Sequence, residues 1–296
     1  MRLAHFSDIH VTHFPLSGKP ALKRLAAVVS YSLGGRGKHF AGSDQRIGKL
    51  LEDVDAQGVD HALCTGDLTG VSTEAEFERV AELFGPRLQQ AERCTVIPGN
   101  HDRYVKGSEG LFERHFAALS EGGKFPFVKH LSDGVSVVAI DVARPTNLID
   151  SSGLCGEQQR AALEALLTDR SLKGRFVVLA LHYGLLRAEG QRDARPHGLR
   201  DDLELMALID RDDVTLDLVL HGHMHRPYVV KTKRRTIINA GSATDLHVAQ
   251  GCGYHVYEID PATGRVKVNR RAWNVGPGRY EAVDSPLNRE LLTRGE

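Results

Sequence analysis

The sequence lacks paired cysteines. Cys64, Cys94, Cys155 and Cys252 are widely spaced and form no C-x-x-C pair, which excludes a zinc knuckle or a dithiol redox motif and leaves them as small buried hydrophobes of a reducing compartment. An excess of either charge is also missing. Lys plus Arg and Asp plus Glu number 38 each, so no bulk field recruits nucleic acid or an anionic membrane, and no nucleic-acid partner is expected. Long hydrophobic runs are absent as well: the longest, near Phe176 to Leu186, is interrupted by His182 and falls well short of the roughly 20 residues that a membrane span needs. Residues Met1 to Asp8 show no long apolar stretch behind a basic region, which argues against a signal peptide and makes the cytoplasm the expected location.

What is present is enough for a core. With 296 residues, 41% of them hydrophobic, the chain can build one large α/β domain or two small ones. Short β-branched runs recur at Leu3 to Ile9, His61 to Thr65, Cys94 to Ile97, Val135 to Ile140, Phe176 to Leu181, Leu216 to Leu220, Thr236 to Asn239, Tyr254 to Ile259 and Val266 to Val268. Most are too apolar to have a solvated face. Helix-period segments lie between them at Asp44 to Ala56, Thr73 to Leu88, Glu109 to Leu119, Glu157 to Leu167 and Leu203 to Ile209, the second opening on a Thr73 and Glu76 capping box. The β-α-β-α pattern gives way to a β-rich C-terminal third, which predicts sheets covered by helices in a layered sandwich.

Enzymes of the α/β class place ligands beyond the carboxyl ends of their strands, so those ends are the places to compare. The first strand runs into Asp8-Ile9-His10, the second into Gly66-Asp67, the third into Gly99-Asn100-His101-Asp102, the fifth into His182 and the sixth into His221-Gly222-His223-Met224-His225. Any one of these reads as a turn. Together they offer carboxylate, amide and imidazole donors, a set of borderline hardness suited to Mn, Fe, Zn or Co and unsuited to a thiolate-seeking metal or a calcium cage. Two cations about 3.5–4 Å apart need a shared anionic bridge, and Asp67, flanked by glycine and apolar residues with no cation beside it, is the natural choice.

In this order, D-x-H, G-D, G-N-H-D, a lone H and G-H-x-H resemble the calcineurin-like metallophosphoesterase superfamily over roughly residues 1 to 270. The resemblance implies a four-layer α/β/β/α sandwich of two mixed β-sheets flanked by helices, with a dinuclear centre of Mn2+, Fe2+/Fe3+ or Zn2+. Carried over position by position, it gives one metal Asp8, His10, Asp67 and His225, and the other Asp67, Asn100, His182 and His223. His101 is left to face the substrate as the catalytic histidine, with Asp102 orienting or polarising its imidazole. The implied reaction is in-line attack on phosphorus by a metal-bridging hydroxide, with His101 assisting the leaving group. Of the remaining histidines, His221 is expected to support the site, His13 to line its entrance, and His5, His61, His115, His130 and His255 to be structural.

The expected organisation is a phosphoesterase domain over residues 1–275 with a basic insertion at about 15–46, followed by a polar tail at 276–296 that wraps the body or joins a homodimer contact. The insertion holds an amphipathic helical pattern from Ala21 to Leu33 and the cations Lys19, Lys23, Arg24, Arg36, Lys38 and Arg46. It reads either as a solvated loop or as a lid over an anionic substrate, with lipid headgroups as a second contact for residues 19–46. A small chain with these blocks resembles the class III cyclic nucleotide phosphodiesterases of bacteria, acting on a cyclic nucleotide or similar small phosphodiester. The alternative is a lipid-linked nucleotide pyrophosphatase similar to the UDP-2,3-diacylglucosamine hydrolases. A binding protein on an inactive scaffold is disfavoured because every ligand position is filled. Protein phosphatases of the superfamily usually read GNHE where this chain reads Gly99-Asn100-His101-Asp102. The related repair nucleases bring further domains.

Overall fold

Apolar strands with no polar face require cover on both sides, and the chain supplies it by stacking two sheets and coating each with helices. The computed structural model describes residues 1–13, 23–24, 36–132, 134–147, 149–194, 196–247 and 251–294. The first sheet has 7 strands in the order β12-β11-β10-β1-β2-β3, with β13 also paired to β11. These are β1 (Arg2–Phe6), β2 (His61–Cys64), β3 (Cys94–Val96), β10 (Gly253–Asp260), β11 (Arg265–Asn274), β12 (Arg279–Ala282) and β13 (Arg289–Leu292). The second has 6, in the order β4-β5-β6-β7-β9-β8: β4 (Phe127–His130), β5 (Val135–Ala139), β6 (Phe176–Ala180), β7 (Leu218–His221), β8 (Tyr228–Lys231) and β9 (Thr236–Asn239). Both sheets are mixed: β1, β2 and β3 run parallel with β10 antiparallel to β1, while β5, β6, β7 and β9 run parallel between antiparallel edges β4 and β8.

Period-2 alternation assigns each strand residue to a layer. On β6, Phe176, Val178 and Ala180 enter the core between the sheets, where Leu3, Leu63, Val137 and Leu220 meet them. Val177 and Leu179 point the other way, onto the helices α5 (Glu157–Leu167) and α6 (Asp202–Ile209) through Leu163, Leu167, Leu205 and Ile209. Ala4 and Phe6 of β1 likewise turn outward to α2 (Ser43–Ala56), α3 (Glu74–Phe84) and α4 (Leu111–Phe116), meeting Leu50, Phe77, Val80 and Phe116. The architecture is therefore the expected four-layer α/β/β/α sandwich. All four cysteines are free and buried. No helix among the described residues is long and apolar enough to cross a membrane.

Some boundaries differ from the sequence expectation. The helix expected to reach Leu88 stops at Phe84, because Gly85 adopts φ 52° and Pro86 follows; a 3-10 turn over Gly85–Gln89 takes up the remainder. The sheet also continues past the boundary expected at 275. Residues of the polar tail form β12 and β13, which pair with opposite ends of β11 in the same chain. In the insertion, the amphipathic pattern from Ala21 to Leu33 lies outside the described residues apart from Lys23 and Arg24, while Arg36–Phe40 forms a short helix, α1.

The capping box is formed as read: Thr73 Oγ1 accepts from the Glu76 N–H (3.2 Å), and Glu76 Oε2 accepts from the Thr73 N–H (3.0 Å). Thr73→Ala is expected to lower stability by about 1 kcal/mol and Thr73→Ser to restore most of it, measured as shifts of the urea midpoint at constant m-value.

Candidate metal centre

The parallel strands of both sheets present their carboxyl ends on one edge of the sandwich, and the chain bends sharply there. Among the described residues, seven non-glycine positions have positive φ: Asp8 (54°), His10 (43°), Asp67 (55°), Ser72 (51°), Glu121 (49°), His223 (71°) and His225 (53°). Five of the seven are candidate ligands. Left-handed backbone at such residues is uncommon and persists where the surroundings enforce it, so strain is concentrated at this site. Two glycines let the bends approach one another. A Cβ at Gly99 would lie 2.2 Å from Asp67 Oδ1, and one at Gly222 would lie 1.9 Å from Ser7 Oγ and 2.5 Å from Asp8 Oδ2.

The side chains gather around two points that share Asp67. At the first, His10 Nε2 lies 3.0 Å from His225 Nε2 and 3.6 Å from Asp67 Oδ2, and His225 Nε2 lies 3.4 Å from Asp8 Oδ1. At the second, Asn100 Oδ1 lies 3.0 Å from His182 Nε2 and 2.9 Å from His223 Nδ1, and His182 Nε2 is 3.3 Å from Asp67 Oδ1. All seven residues expected to hold metal are thus brought together.

The partners behind the imidazoles decide what these short distances mean. His182 Nδ1–H donates to Thr65 O (2.7 Å), His223 Nε2–H to His197 O (3.1 Å) and His225 Nδ1–H to Asp245 Oδ2 (3.1 Å). Each backing bond fixes a tautomer and leaves the inward nitrogen as a lone pair. Asn100 Oδ1 therefore faces two acceptors, and His225 Nε2 faces Asp8 Oδ1, a buried oxygen with no hydrogen-bond partner. Acceptors crowded on acceptors are repulsive unless a cation stands among them. Nitrogen donors about 2.1 Å from one ion and at right angles lie about 3 Å apart, the spacing seen here, so the residues fit divalent metal.

Charge in the buried site follows the same division. Burial opposes a positive His182, but the carboxylates of Asp67 and Asp8 outweigh it and raise this imidazole to about 9. At the half-buried His225 desolvation likewise opposes the charge, and its bonds to Asp245 and Asp8 raise it to about 9. His223 moves down, to about 3, through burial and the neighbouring His182. The carboxylates thus favour positive charge at each point, as they would a cation.

His101 stands apart from the converging donors. Its Nδ1–H donates to Gly70 O (2.5 Å), its backbone N–H donates to Asp67 Oδ1 (2.8 Å), and its ring stacks on Tyr104 at 5.1 Å. Asp102, expected to orient or polarise this imidazole, has its hydrogen bonds elsewhere. Its carboxylate instead accepts from the N–H groups of Leu68, Thr69 and Gly99 and from Thr69 Oγ1. The reason is backbone geometry: the turn folds Asp102 beneath the strand ends, where it ties the β2 loop to the β3 loop and so sets Gly70 O against His101. His221 is buried against Asn239 Nδ2 (3.0 Å), outside both points, and His13 is exposed beside Glu76. His5 and His61 are buried, each bonded at both ring nitrogens, as expected of structural residues.

The strand-end reading missed Asp245, which backs His225, and Ser242 and Thr244, whose hydroxyls donate to Asp8 O (2.7 Å) and Ile9 O (2.8 Å). These residues follow β9 in Gly241-Ser242-Ala243-Thr244-Asp245, so extending the comparison to that strand end would have found them. Beside the two points opens a cleft of about 450 Å3, lined among others by His101, Tyr104, Arg187, His197 and Lys23. Lys23 brings the insertion to the cleft, donating to Tyr104 O (3.0 Å) and Thr146 Oγ1 (2.8 Å), and burial lowers its amine to about 8.

The sequence matches the calcineurin-like phosphoesterase family model over residues 1–227, a span that ends just after His225, and the chain belongs to that family. Among solved structures, a dimetal phosphatase from Danio rerio is similar at 13% identity with a TM-score of 0.67, the match covering 99% of each chain. A purple acid phosphatase from yellow lupin (Lupinus luteus) seeds is similar at 14% identity and a TM-score of 0.56 over 95% of this chain, which spans 52% of the lupin chain. At these identities the likeness is one of fold. Among curated proteins no sequence match is found.

The close approaches make glycine substitution a direct test of the geometry. Gly222→Ala is expected to cost about 1–3 kcal/mol by overpacking and to lower bound metal, read by chemical denaturation and elemental analysis. Gly48→Ala, on α2 where a Cβ meets nothing within 4 Å, is expected to raise stability by about 0.5–1 kcal/mol with metal content unchanged.

Proposed function

We propose that this chain is a two-metal phosphodiesterase acting on a cyclic nucleotide or a similarly small phosphodiester. The observation that carries the reading is the convergence of lone pairs on two points that share Asp67. Asp8, His10, Asp67 and His225 would hold one divalent transition metal, and Asp67, Asn100, His182 and His223 the other. When bound, such ions supply Lewis-acid polarisation of the phosphoryl oxygens and lower the pKa of water, with Mn2+, iron or Zn2+ all compatible with the donors. The protein contributes orientation: the backing bonds to Thr65, His197 and Asp245 hold three imidazoles in place. His101 keeps Nδ1 on Gly70 O, so Nε2 is the atom that meets substrate and, when protonated, gives its proton to the leaving oxygen. Asp102 acts at one remove, through the loop that carries Gly70.

A second reading, hydrolysis of a lipid-linked nucleotide diphosphate, is favoured by Lys23, which places an insertion cation at the cleft. Purified, manganese-loaded protein assayed side by side on cyclic AMP, bis(p-nitrophenyl) phosphate and a UDP-linked lipid separates the two. Cleavage of the lipid substrate alone would move the second reading ahead of the first. Asp67→Ala is expected to lose both metals by elemental analysis; a full complement in that variant would remove the bridge assignment. His101→Ala is expected to keep its metals and lose roughly a hundredfold or more in kcat, with a smaller loss on the activated aryl ester. Equal relative loss on alkyl and aryl esters would rule out proton donation by this residue.

A further inference from the structure

A second group of metal-type donors lies outside the shared-Asp67 centre. The helix α1 of the insertion meets the loop after β9, where the Leu246 N–H donates to His39 O (3.1 Å), and Arg46 at the start of α2 donates from Nε to Thr244 O (3.0 Å) in the same loop. This contact sets the imidazoles of His39 and His247 face to face, 3.6 Å between centroids and 11° from parallel. Asp245 completes the group: His39 Nδ1 is 3.5 Å from its Oδ1, and the His247 backbone N–H donates to the same oxygen at 2.9 Å. One donor atom from each of His39, Asp245 and His247 lies within 4.8 Å of the other two.

We infer that His39, Asp245 and His247 form a third, peripheral site for a divalent transition cation. Asp245-Leu246-His247 repeats the Asp-x-His spacing of Asp8-Ile9-His10, so one loop presents a carboxylate and an imidazole together. Among the described residues neither His39 nor His247 makes a ring hydrogen bond: the 3.5 Å approach to Asp245 is too long for a good one. The stack keeps both imidazoles beside the carboxylate, and turning the rings out of it would aim one nitrogen of each, together with Asp245 Oδ1, at a shared ion. Two nitrogens and one oxygen suit Zn2+, Co2+, Ni2+ or Cu2+, and the exposure of His247 leaves room for rotation onto the ion and for water at the open positions. Asp245 also links the two sites. Its Oδ2 accepts from His225 Nδ1–H (3.1 Å), so a cation on Oδ1 draws charge from the carboxylate that backs a main-centre donor, and binding at each site alters the other.

Zinc counting on the full chain tests this. Protein stripped with chelator is dialysed to equilibrium against Zn2+, and zinc per chain is measured by elemental analysis. The double variant His39→Ala/His247→Ala is expected to hold one zinc fewer than the parent. Asp67→Ala, which removes the main-centre bridge, is expected to retain one zinc that disappears when the two histidine changes are added. His39→Gln/His247→Gln should repeat the loss with an unchanged circular dichroism spectrum, which separates ligand removal from misfolding. Equal zinc in the parent and both double variants, or no histidine-dependent zinc in Asp67→Ala, would overturn the site. A parent-like zinc count in Asp67→Ala that still falls by one on adding the histidine changes would count against the main-centre bridge and leave the peripheral site standing.

Discussion

The structure turns on one constraint: lone pairs from five strand ends have to be held against one another in a buried place. Asp67 is the pivot. Its Oδ2 faces His10 and its Oδ1 faces His182 while accepting the His101 N–H, so a single carboxylate is engaged from both sheets. Such a cluster cannot be built from relaxed backbone. Left-handed conformations at Asp8, His10, Asp67, His223 and His225 and side-chain-free approaches at Gly99 and Gly222 are the local costs of bringing the donors inward.

The rest of the sandwich offsets those costs. The apolar layer between the sheets fixes the relation of β1, β2 and β3 to β6 and β7, and with it the spacing of residues that are far apart in sequence. Polar ties then lock the loops: Asp102 joins the β2 loop to the β3 loop, Ser242 and Thr244 hold the loop after β1, and backbone carbonyls or Asp245 hold the imidazoles. Orientation is thus assigned to residues that touch neither of the two points, as is usual around ions whose ligands need a set tautomer. The insertion enters the same economy from outside, bringing Lys23 to the cleft and His39 to the loop that backs His225.

Much of this was legible in the sequence, for reasons that differ by element. The central strands declared themselves because burial on both faces demands nearly continuous apolar runs, as in Phe176–Ala180 and, broken only by Ser136, Val135–Ala139. The edge strands β4, β8, β12 and β13 did not. They are short, mix charged with apolar residues, and in two cases follow a proline, so no period stands out; an edge needs only one partner and tolerates such composition. Helix starts were readable where a side chain caps them, as at Thr73, but the end of that helix was carried past Gly85 and Pro86, whose stop signal went unread.

By itself the sequence determined the chemical kinds at the strand ends and their order, and hence the family, the layered fold and the identity of the gathered donors. That information is local: a residue's type and its place after an apolar run can be read without knowing what lies across from it. Only the tertiary structure decided the tautomers, since these depend on Thr65, His197 and Asp245, remote from the imidazoles they back. It also decided that Asp102 clamps loops and leaves the His101 ring to Gly70, and that His39 meets Asp245 and His247. A hydrogen bond is set by distance and direction between groups that the chain brings together only on folding, and no spacing along the sequence encodes either.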